Sequence, residues 1–224
     1  MTVLETPFFL RKVATLLDEE ERSELVAFLG MNPEAGDIIP ETGGVRKLRW
    51  AAQGRGKRGG VRLIYYFHSD TFPLFLLTVY AKNQKANLTR AERNDFQKLI
   101  PRLVKTYGKG RQVMKKPIAS KKAGAQHSVG QEIITSLKEA IAWAGGENVP
   151  VRVTTIEVPT TDVRAVRRRL RLSQSQFAAK FGFQPATLRN WEQGRTRPDG
   201  PARVLLAVIA RHPEAVEDAL RKAG

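Results

Sequence analysis

The chain contains no cysteine and no long uninterrupted run of apolar residues. Without cysteine it cannot form disulfide bonds or thiolate metal sites. A membrane helix needs about 18 or more consecutive apolar residues, and the opening segment Met1–Lys12 has too short an apolar core and too early an acidic residue for a signal peptide. We therefore expect a cytoplasmic protein that uses no membrane, no metal and no cofactor.

Length and charge indicate two domains and a polyanionic partner. A chain of 224 residues suits two compact units. Its 38 basic and 22 acidic side chains give a net charge of +16, which favours nucleic acid as the partner. The excess is concentrated in residues 45–112, where 16 basic residues face three acidic ones.

The N-terminal part begins with two short predicted helices. The first covers Leu10–Leu17, and the second begins at a capping box formed by Asp18 and Glu21. The apolar positions that the second helix is expected to bury are Leu25, Phe28 and Leu29.

The apolar period then changes from 3.6 to 2, which predicts three strands in a meander. The strands are Val45–Trp50, Val61–Phe67 and Phe72–Tyr80. A second capping box, Thr89 with Glu92, opens another helix. We therefore predict an α+β domain over residues 1–110, with an antiparallel sheet and helices.

The next segments cannot fold alone. Residues 111–126 are basic and rich in small residues, which predicts a solvated linker. Within residues 127–158, Gly130–Trp143 has helical apolar spacing and Val151–Ile156 reads as a strand. Each is too small to bury its own apolar face, so a neighbour must cover it. Residues 159–224 are predicted to form an all-α domain.

Helix signals between Thr161 and Pro198 fall in one frame. They are the capping box of Ser173 with Gln176, the helix exits at Gly182 and Gly194, and the helix start at Pro185. The segment resembles the helix-turn-helix of the phage-repressor and HigA antitoxin families. The resemblance implies binding to operator DNA, repression of transcription and a homodimer through this domain.

Two sets of side chains are expected to contact DNA. Outward positions of the second helix suit base readout in the major groove; they are Gln184, Ala186, Thr187 and Asn190, with Arg189 beside them. Positions expected to contact phosphates are Gln174, Arg195 and Arg197. The alternative interpretation is a helical bundle with a solvated basic face.

The segments Arg46–Trp50, Gly59–Tyr66 and Thr78–Thr89 resemble RelE/HigB-type toxins. The resemblance covers nearly all of residues 1–110. It implies an endoribonuclease that cuts messenger RNA on the ribosome through attack of a ribose 2′-hydroxyl on its own phosphate.

That chemistry needs positive charge around the phosphate and two groups that transfer protons. Lys47 and Arg49 alternate with Leu48, so they project from one sheet face. The full set of candidate catalytic cations is Lys47, Arg49, Arg62, Lys82 and Lys85. Lys57 and Arg58 are expected to contact ribosomal RNA, and Tyr65 or Tyr80 to stack a base. The general acid and base stay open, and His68 is interpreted as structural.

Residues His127–Glu157 resemble the toxin-binding arm of HigA-like antitoxins. The side chains expected to insert into the toxin are Ile133, Ile134, Leu137 and Ile141, and Glu132 and Glu139 are expected near the cationic site. A toxin and its antitoxin would then share one chain, with inhibition favoured by tethering. Whether such a fusion is natural, a readthrough product or engineered stays open.

Two other classes of function are weighed against this one. The first is a one-component transcription regulator whose RelE-like module has lost catalysis. The second is a general RNA chaperone, which predicts no sequence-specific binding to DNA.

Overall fold

The computed structural model describes residues 1–51, 60–82, 84, 88–108, 128–158 and 161–222. The chain divides into two compact units, Met1–Ile156 and Glu157–Gly224. The first contains a sheet with helices and the second is helical, so the predicted fold classes are confirmed.

The described part of the first unit contains a six-stranded sheet. Its strands are β1 (Thr2–Glu5), β2 (Asp37–Ile38), β3 (Val45–Ala51), β4 (Gly60–Tyr66), β5 (Leu74–Ala81) and β6 (Arg152–Thr155). The spatial order is β2-β3-β4-β5-β1-β6. The predicted meander is confirmed as β3-β4-β5, and β1 joins it as a parallel neighbour of β5.

Strand β1 is the element that sequence analysis missed. It has only four residues, three of which, Val3, Leu4 and Glu5, are fully buried. A strand between two neighbours and covered on both faces shows no polar alternation, so such a short one gives no periodic signal. Its place between β5 and β6 depends on pairing with residues that are far away in the sequence.

Four helices flank the sheet, with an apolar core on each face. They are α1 (Pro7–Val13), α2 (Glu19–Met31), α3 (Arg90–Gly108) and α4 (Val129–Ala144). Side chains of α1 and α2 pack in one core, and those of α3 and α4 in the other.

Two details of the predicted helices are corrected. Helix α1 starts at Pro7 and ends at Val13, four residues before the predicted end at Leu17. Phe28 is 36% exposed and packs beside Trp50, with ring centroids 5.1 Å apart, whereas Leu25 and Leu29 are buried as predicted.

Both predicted capping boxes of the first unit are present. The Asp18 and Glu21 side chains accept hydrogen bonds from each other's backbone. The Thr89 hydroxyl accepts from Glu92 N at 3.2 Å, and the Glu92 carboxylate accepts from Thr89 N at 2.8 Å. These local bonds fix where α2 and α3 begin.

The second unit contains five described helices. They are α5 (Val163–Arg169), α6 (Gln174–Phe181), α7 (Pro185–Glu192), α8 (Gly200–Arg211) and α9 (Pro213–Lys222). The capping box of Ser173 and Gln176 is present, and Gly182 and Gly194 adopt φ of 74° and 68° as predicted. Among the described residues, no helix has the length and apolar character that crossing a membrane requires.

Candidate functional sites

Three of the predicted catalytic cations lie on the neighbouring strands β3 and β4. Arg49 lies directly opposite Arg62, which in turn lies opposite Tyr80, and Lys47 lies opposite Ile64. Opposed residues of antiparallel strands share a face, as do alternate residues of one strand. The three cations and the tyrosine therefore project from the same face.

This arrangement costs stability unless an anion is bound. Like charges at opposed positions of a sheet repel each other. Within the ranges described, no carboxylate forms an ion pair with Lys47, Arg49 or Arg62. A phosphate on this face would offset the repulsion.

The same face opens into a pocket of about 220 Å³. Lys47 and Tyr80 contribute from the sheet, and Arg93 contributes from the first turns of α3. The apolar lining residues are Ile39, Ile64, Leu88, Val129 and Ile133. The pocket therefore combines cations for an anion with apolar walls for a flat ring.

The two candidate stacking tyrosines lie on opposite faces of the sheet. Tyr80 contributes to the pocket wall but is itself only 2% exposed, so it offers little surface on which a base could stack; burial raises the pKa of its hydroxyl while the charge of Arg62 opposes that rise. Tyr65 is fully buried in the other core, where its hydroxyl accepts a hydrogen bond from Gly36 N at 2.8 Å. The expected base contact of Tyr65 does not fit the structure.

Of the remaining candidate cations, Lys82 is the one that lies among the described residues. Lys82 is exposed, and its backbone N–H donates to Gly60 O at 3.2 Å, next to the start of β4. Lys57, Arg58 and Lys85 lie outside the described residues.

His68 lies beyond the opposite end of β4 from Arg62. Arg62 and Tyr66 are four strand residues apart, about 13 Å, and His68 follows Tyr66 in the chain. The His68 ring contacts Tyr66 and Phe72 in an aromatic cluster. This position supports the structural interpretation of His68.

Residues 128–156, which comprise α4 and β6 and are called the arm below, complete the first unit. The four apolar side chains predicted to insert into the toxin are buried in the core that also contains Ile64 and Tyr80. They are Ile133, Ile134, Leu137 and Ile141. Val129 and Ile133 also form part of the pocket wall.

Glu132 and Glu139, the acidic residues of the arm that were expected near the cationic site, bind other partners. Glu132 forms an ion pair with Lys12 Nζ at 2.6 Å and accepts a hydrogen bond from the Thr78 hydroxyl at 2.9 Å. Glu139 accepts from Phe8 N at 2.9 Å and lies 3.6 Å from the Arg11 guanidinium. Neither carboxylate neutralises the candidate catalytic cations, because each is held by α1 or β5.

The arm begins with a tight contact on α3. The Ser128 hydroxyl donates to the Glu92 carboxylate at 2.5 Å, and Gly130 packs so closely that a Cβ there would overlap that carboxylate. Burial acts to raise the pKa of Glu92, but hydrogen bonds from Ser128 and Thr89 outweigh it and lower the pKa. The contact lies beside Leu88 and Arg93, which line the pocket.

The arm ends as an edge strand on β1. Strand β6 pairs antiparallel with β1, and Ile156 N donates to Met1 O at 2.8 Å. Arg152 lies 2.8 Å from the Glu19 carboxylate. Hydrogen bonds from Arg22 and then Arg152 lower the pKa of Glu19 to about 2.

In the second unit, α7 presents most of the predicted DNA-contacting residues. Gln184 is its exposed N-cap residue and makes no capping hydrogen bond, while Ala186 and Arg189 are also exposed. Thr187 and Asn190 are half-buried, and Arg195 and Arg197 are exposed beyond the helix. Leu188 is fully buried and Trp191 packs against Phe183, so this helix is held by its inner face.

Gln174 is engaged within the unit. Its side-chain amide donates to Glu192 Oε2 at 2.9 Å, and Glu192 also binds the Arg167 guanidinium through contacts of 2.6 and 2.9 Å. These bonds, that of Arg167 first, lower the pKa of Glu192. The network ties α5 and α6 to α7, and sequence analysis missed it because it joins residues distant in the chain.

Arg93 is the pocket residue that sequence analysis missed. Its only local signal is its place one residue after the capping Glu92. In the residues that the structure describes, no group of three or more His, Asp or Glu side chains is arranged to hold a metal ion.

Two family models match the chain. The one described as the antitoxin component of a bacterial toxin-antitoxin system, MqsA, matches residues 102–221. The one described as the RelE toxin of the RelE/RelB toxin-antitoxin system matches residues 34–118.

Two individual proteins are similar to this chain over about a quarter of its length. Antitoxin HigA-2 of Vibrio cholerae serotype O1 (strain ATCC 39315 / El Tor Inaba N16961) is 34% identical over 61 residues, which are 27% of this chain and 59% of that relative. A crystal structure of an HTH XRE-family like protein from Agrobacterium tumefaciens shows 44% identity and a TM-score of 0.26, covering 27% of this chain and 98% of that one. The chain thus spans about three fifths of the curated relative's length.

Proposed function

The chain belongs to the family of bacterial antitoxin components named MqsA and carries a RelE toxin segment before it, and on this premise we propose an endoribonuclease held latent by its own antitoxin. In this proposal residues 1–110 cut messenger RNA on the ribosome. The arm blocks the path of an RNA strand past the pocket but leaves the pocket itself open, and residues 159–224 bind operator DNA as a homodimer and repress transcription. The predicted pairing of toxin and antitoxin in one polypeptide is confirmed by the two family matches.

The observation that carries the proposal is the shared pocket. Lys47 and Tyr80 lie in it with Val129 and Ile133 of the arm. An RNA strand that follows the cations along the sheet would meet α4 at this point. The arm therefore acts by occupying space next to the cations, and not by neutralising their charge.

The proposed reaction uses charge more than any single proton donor. The ribose 2′-oxygen attacks the adjacent phosphorus and the bond to the 5′-oxygen breaks, leaving a cyclic phosphate and a 5′-hydroxyl. The positive side chains of Lys47, Arg49 and Arg62 would stabilise the extra negative charge of the pentavalent state. Lys82 supplies further charge directly after β5, the sequence predicts the same role for Lys85, and the groups that transfer the two protons stay unassigned.

The test separates the toxin from its antitoxin. Residues 1–112 expressed alone should arrest growth and cleave messenger RNA, and residues 114–224 supplied from a second gene should reverse both effects. Arg62→Ala should abolish the arrest, whereas Arg102→Ala, an exposed arginine on α3, should not. Equal growth with residues 1–112 and with their Arg62→Ala variant would reject the enzyme.

A second candidate is a regulator whose RelE-like module is no longer an enzyme. The observation in its favour is that the arm is built into the first unit, with Leu137 fully buried and β6 paired with β1. In that case the arm is a permanent part of the fold. The same expression experiment decides, because an inactive module gives no arrest without the arm.

A further inference from the structure

Arg93 is a cation near the sheet cations Lys47, Arg49 and Arg62, but it belongs to helix α3 and not to the sheet. It is the fourth residue of α3, and its side chain lines the pocket together with Lys47 and Tyr80. The helix and the sheet thus supply one cation each to the pocket. Two cations that approach from different elements can hold one phosphate group from two sides.

The hydrogen bonds of Arg93 leave donor capacity unused. Its Nη1 donates to Glu41 Oε2 at 2.8 Å. Its Nε is buried and has no hydrogen-bond partner within the described part of the chain. A buried donor without a partner costs free energy, so the bound state of this pocket should supply an acceptor.

Glu41 positions the guanidinium without neutralising the site strongly. Its side chain is 63% exposed, and an exposed ion pair contributes little. Glu41 adopts a left-handed φ of 61°, and its carbonyl accepts from Gln97 Nε2 at 3.3 Å. The recorded bond to Glu41 engages only Nη1, so this contact is compatible with a charge-assisted bond from the other terminal nitrogen, Nη2, to a phosphate oxygen.

We propose that Arg93 is a phosphate-binding residue of the RNA site, and that the pocket takes one ribonucleotide with its phosphate between Arg93 and Lys47. This inference rests on the proposed function and adds a substrate-binding residue to it. The size of the pocket, about 220 Å³, limits the ligand to roughly one nucleotide. Ile39 and Leu88 give the base or ribose an apolar wall.

The test uses the full chain and adenosine 3′-monophosphate, whose phosphate is bonded to one of the two ribose oxygens that carry the cyclic phosphate of the cleaved strand. Calorimetric titration should show binding in the millimolar range or tighter. Arg93→Gln should weaken it about tenfold or more, because a charge-assisted contact to the phosphate is lost. Arg90→Gln is the matched control, since Arg90 is exposed on the same helix, and it should change the affinity less than about twofold.

Three outcomes would overturn the inference. They are no binding up to about 10 mM, equal binding by wild type and Arg93→Gln, and equal binding of adenosine without phosphate. Thermal unfolding of each variant shows whether the fold is intact, and Arg93→Lys, which keeps the charge, gives an independent second variant that should bind with intermediate affinity. If the ribonuclease proposal fails but this inference is correct, the nucleotide binds as expected while residues 1–112 leave messenger RNA intact.

Discussion

Replacing Gly130 with alanine should open the site without touching any residue that binds RNA. A Cβ at this position would overlap the carboxylate of Glu92. That carboxylate is held by the Ser128 hydroxyl and by Thr89 N, so it can make room only by giving up hydrogen bonds. The first turn of α4 must then separate from α3.

The expected magnitude follows from two opposing contributions. A hydrogen bond to a charged group contributes about 1.5–3 kcal/mol. Alanine is the better helix former by about 0.5–1 kcal/mol. The net cost of about 1–2 kcal/mol should raise the population with an open first turn about 5- to 30-fold.

Gly145→Ala is the matched control in the same arm. Gly145 caps α4 with φ of −76°, and a Cβ there would lie 3.4 Å from the nearest carbonyl oxygens. This substitution should therefore leave docking unchanged.

Hydrogen exchange on the full chain measures the effect. Exchange at Gln131 and Glu132, whose amides bond to Ser128, should accelerate 5- to 30-fold in Gly130→Ala. The amide of Ile156 should be unaffected, because β6 docks separately on β1. Growth arrest should appear together with the faster exchange in Gly130→Ala, because Val129 then leaves the pocket wall. If Gly130→Ala and Gly145→Ala exchange at the same rate, Glu92 does not hold the arm and the reasoning is wrong.

Two further predictions concern the end of the arm and the DNA-binding unit. The pKa of Glu19 is lowered from 4.5 to about 2, first by the hydrogen bond from Arg22 and then by that from Arg152, so the stabilisation from both bonds is present above pH 4.5 and is lost as pH falls through 2, and the Arg152 part of it stabilises docking. NMR titration of Arg152→Gln should find this pKa raised towards 4.5, and an unchanged value would mean that β6 is not docked. In the second unit, Gln184→Ala should weaken binding to DNA upstream of the gene about tenfold, while Gln193→Ala, exposed at the end of α7, should not. Footprinting at about 0.15 M salt measures this, and equal loss in both variants would contradict base readout by Gln184.

The features that could be predicted from sequence are those fixed by neighbouring residues. The capping boxes at Asp18, Thr89 and Ser173 span four residues each, so a short window contains all the atoms involved. The meander follows in the same way from alternation and short connections. Lys47 and Arg49 share a face because they are two residues apart in one strand.

The features that were missed depend on contacts between distant segments. Whether Tyr80 joins the cations depends on the register of β5 against β4, which sequence periodicity does not give. Tyr65 is a different kind of error, because it is three residues from Arg62 and alternation alone places it on the other face. Arg93 could not be assigned to the pocket without knowing where α3 packs.

The energetics of the arm indicate that cutting the chain between toxin and antitoxin would not by itself release the site. Closing the loop of 19 residues from 109 to 127 costs about 3 kcal/mol. Burying the four isoleucine and leucine side chains of α4 contributes about 1.5–3 kcal/mol each before the entropy of ordering is subtracted. The docked state therefore depends mainly on its own contacts and only secondarily on the tether. In the proposed mechanism, release of the site requires that the arm itself detach or be degraded, and its exposed edge strand β6 and its first turn at Ser128 are the places where that can begin.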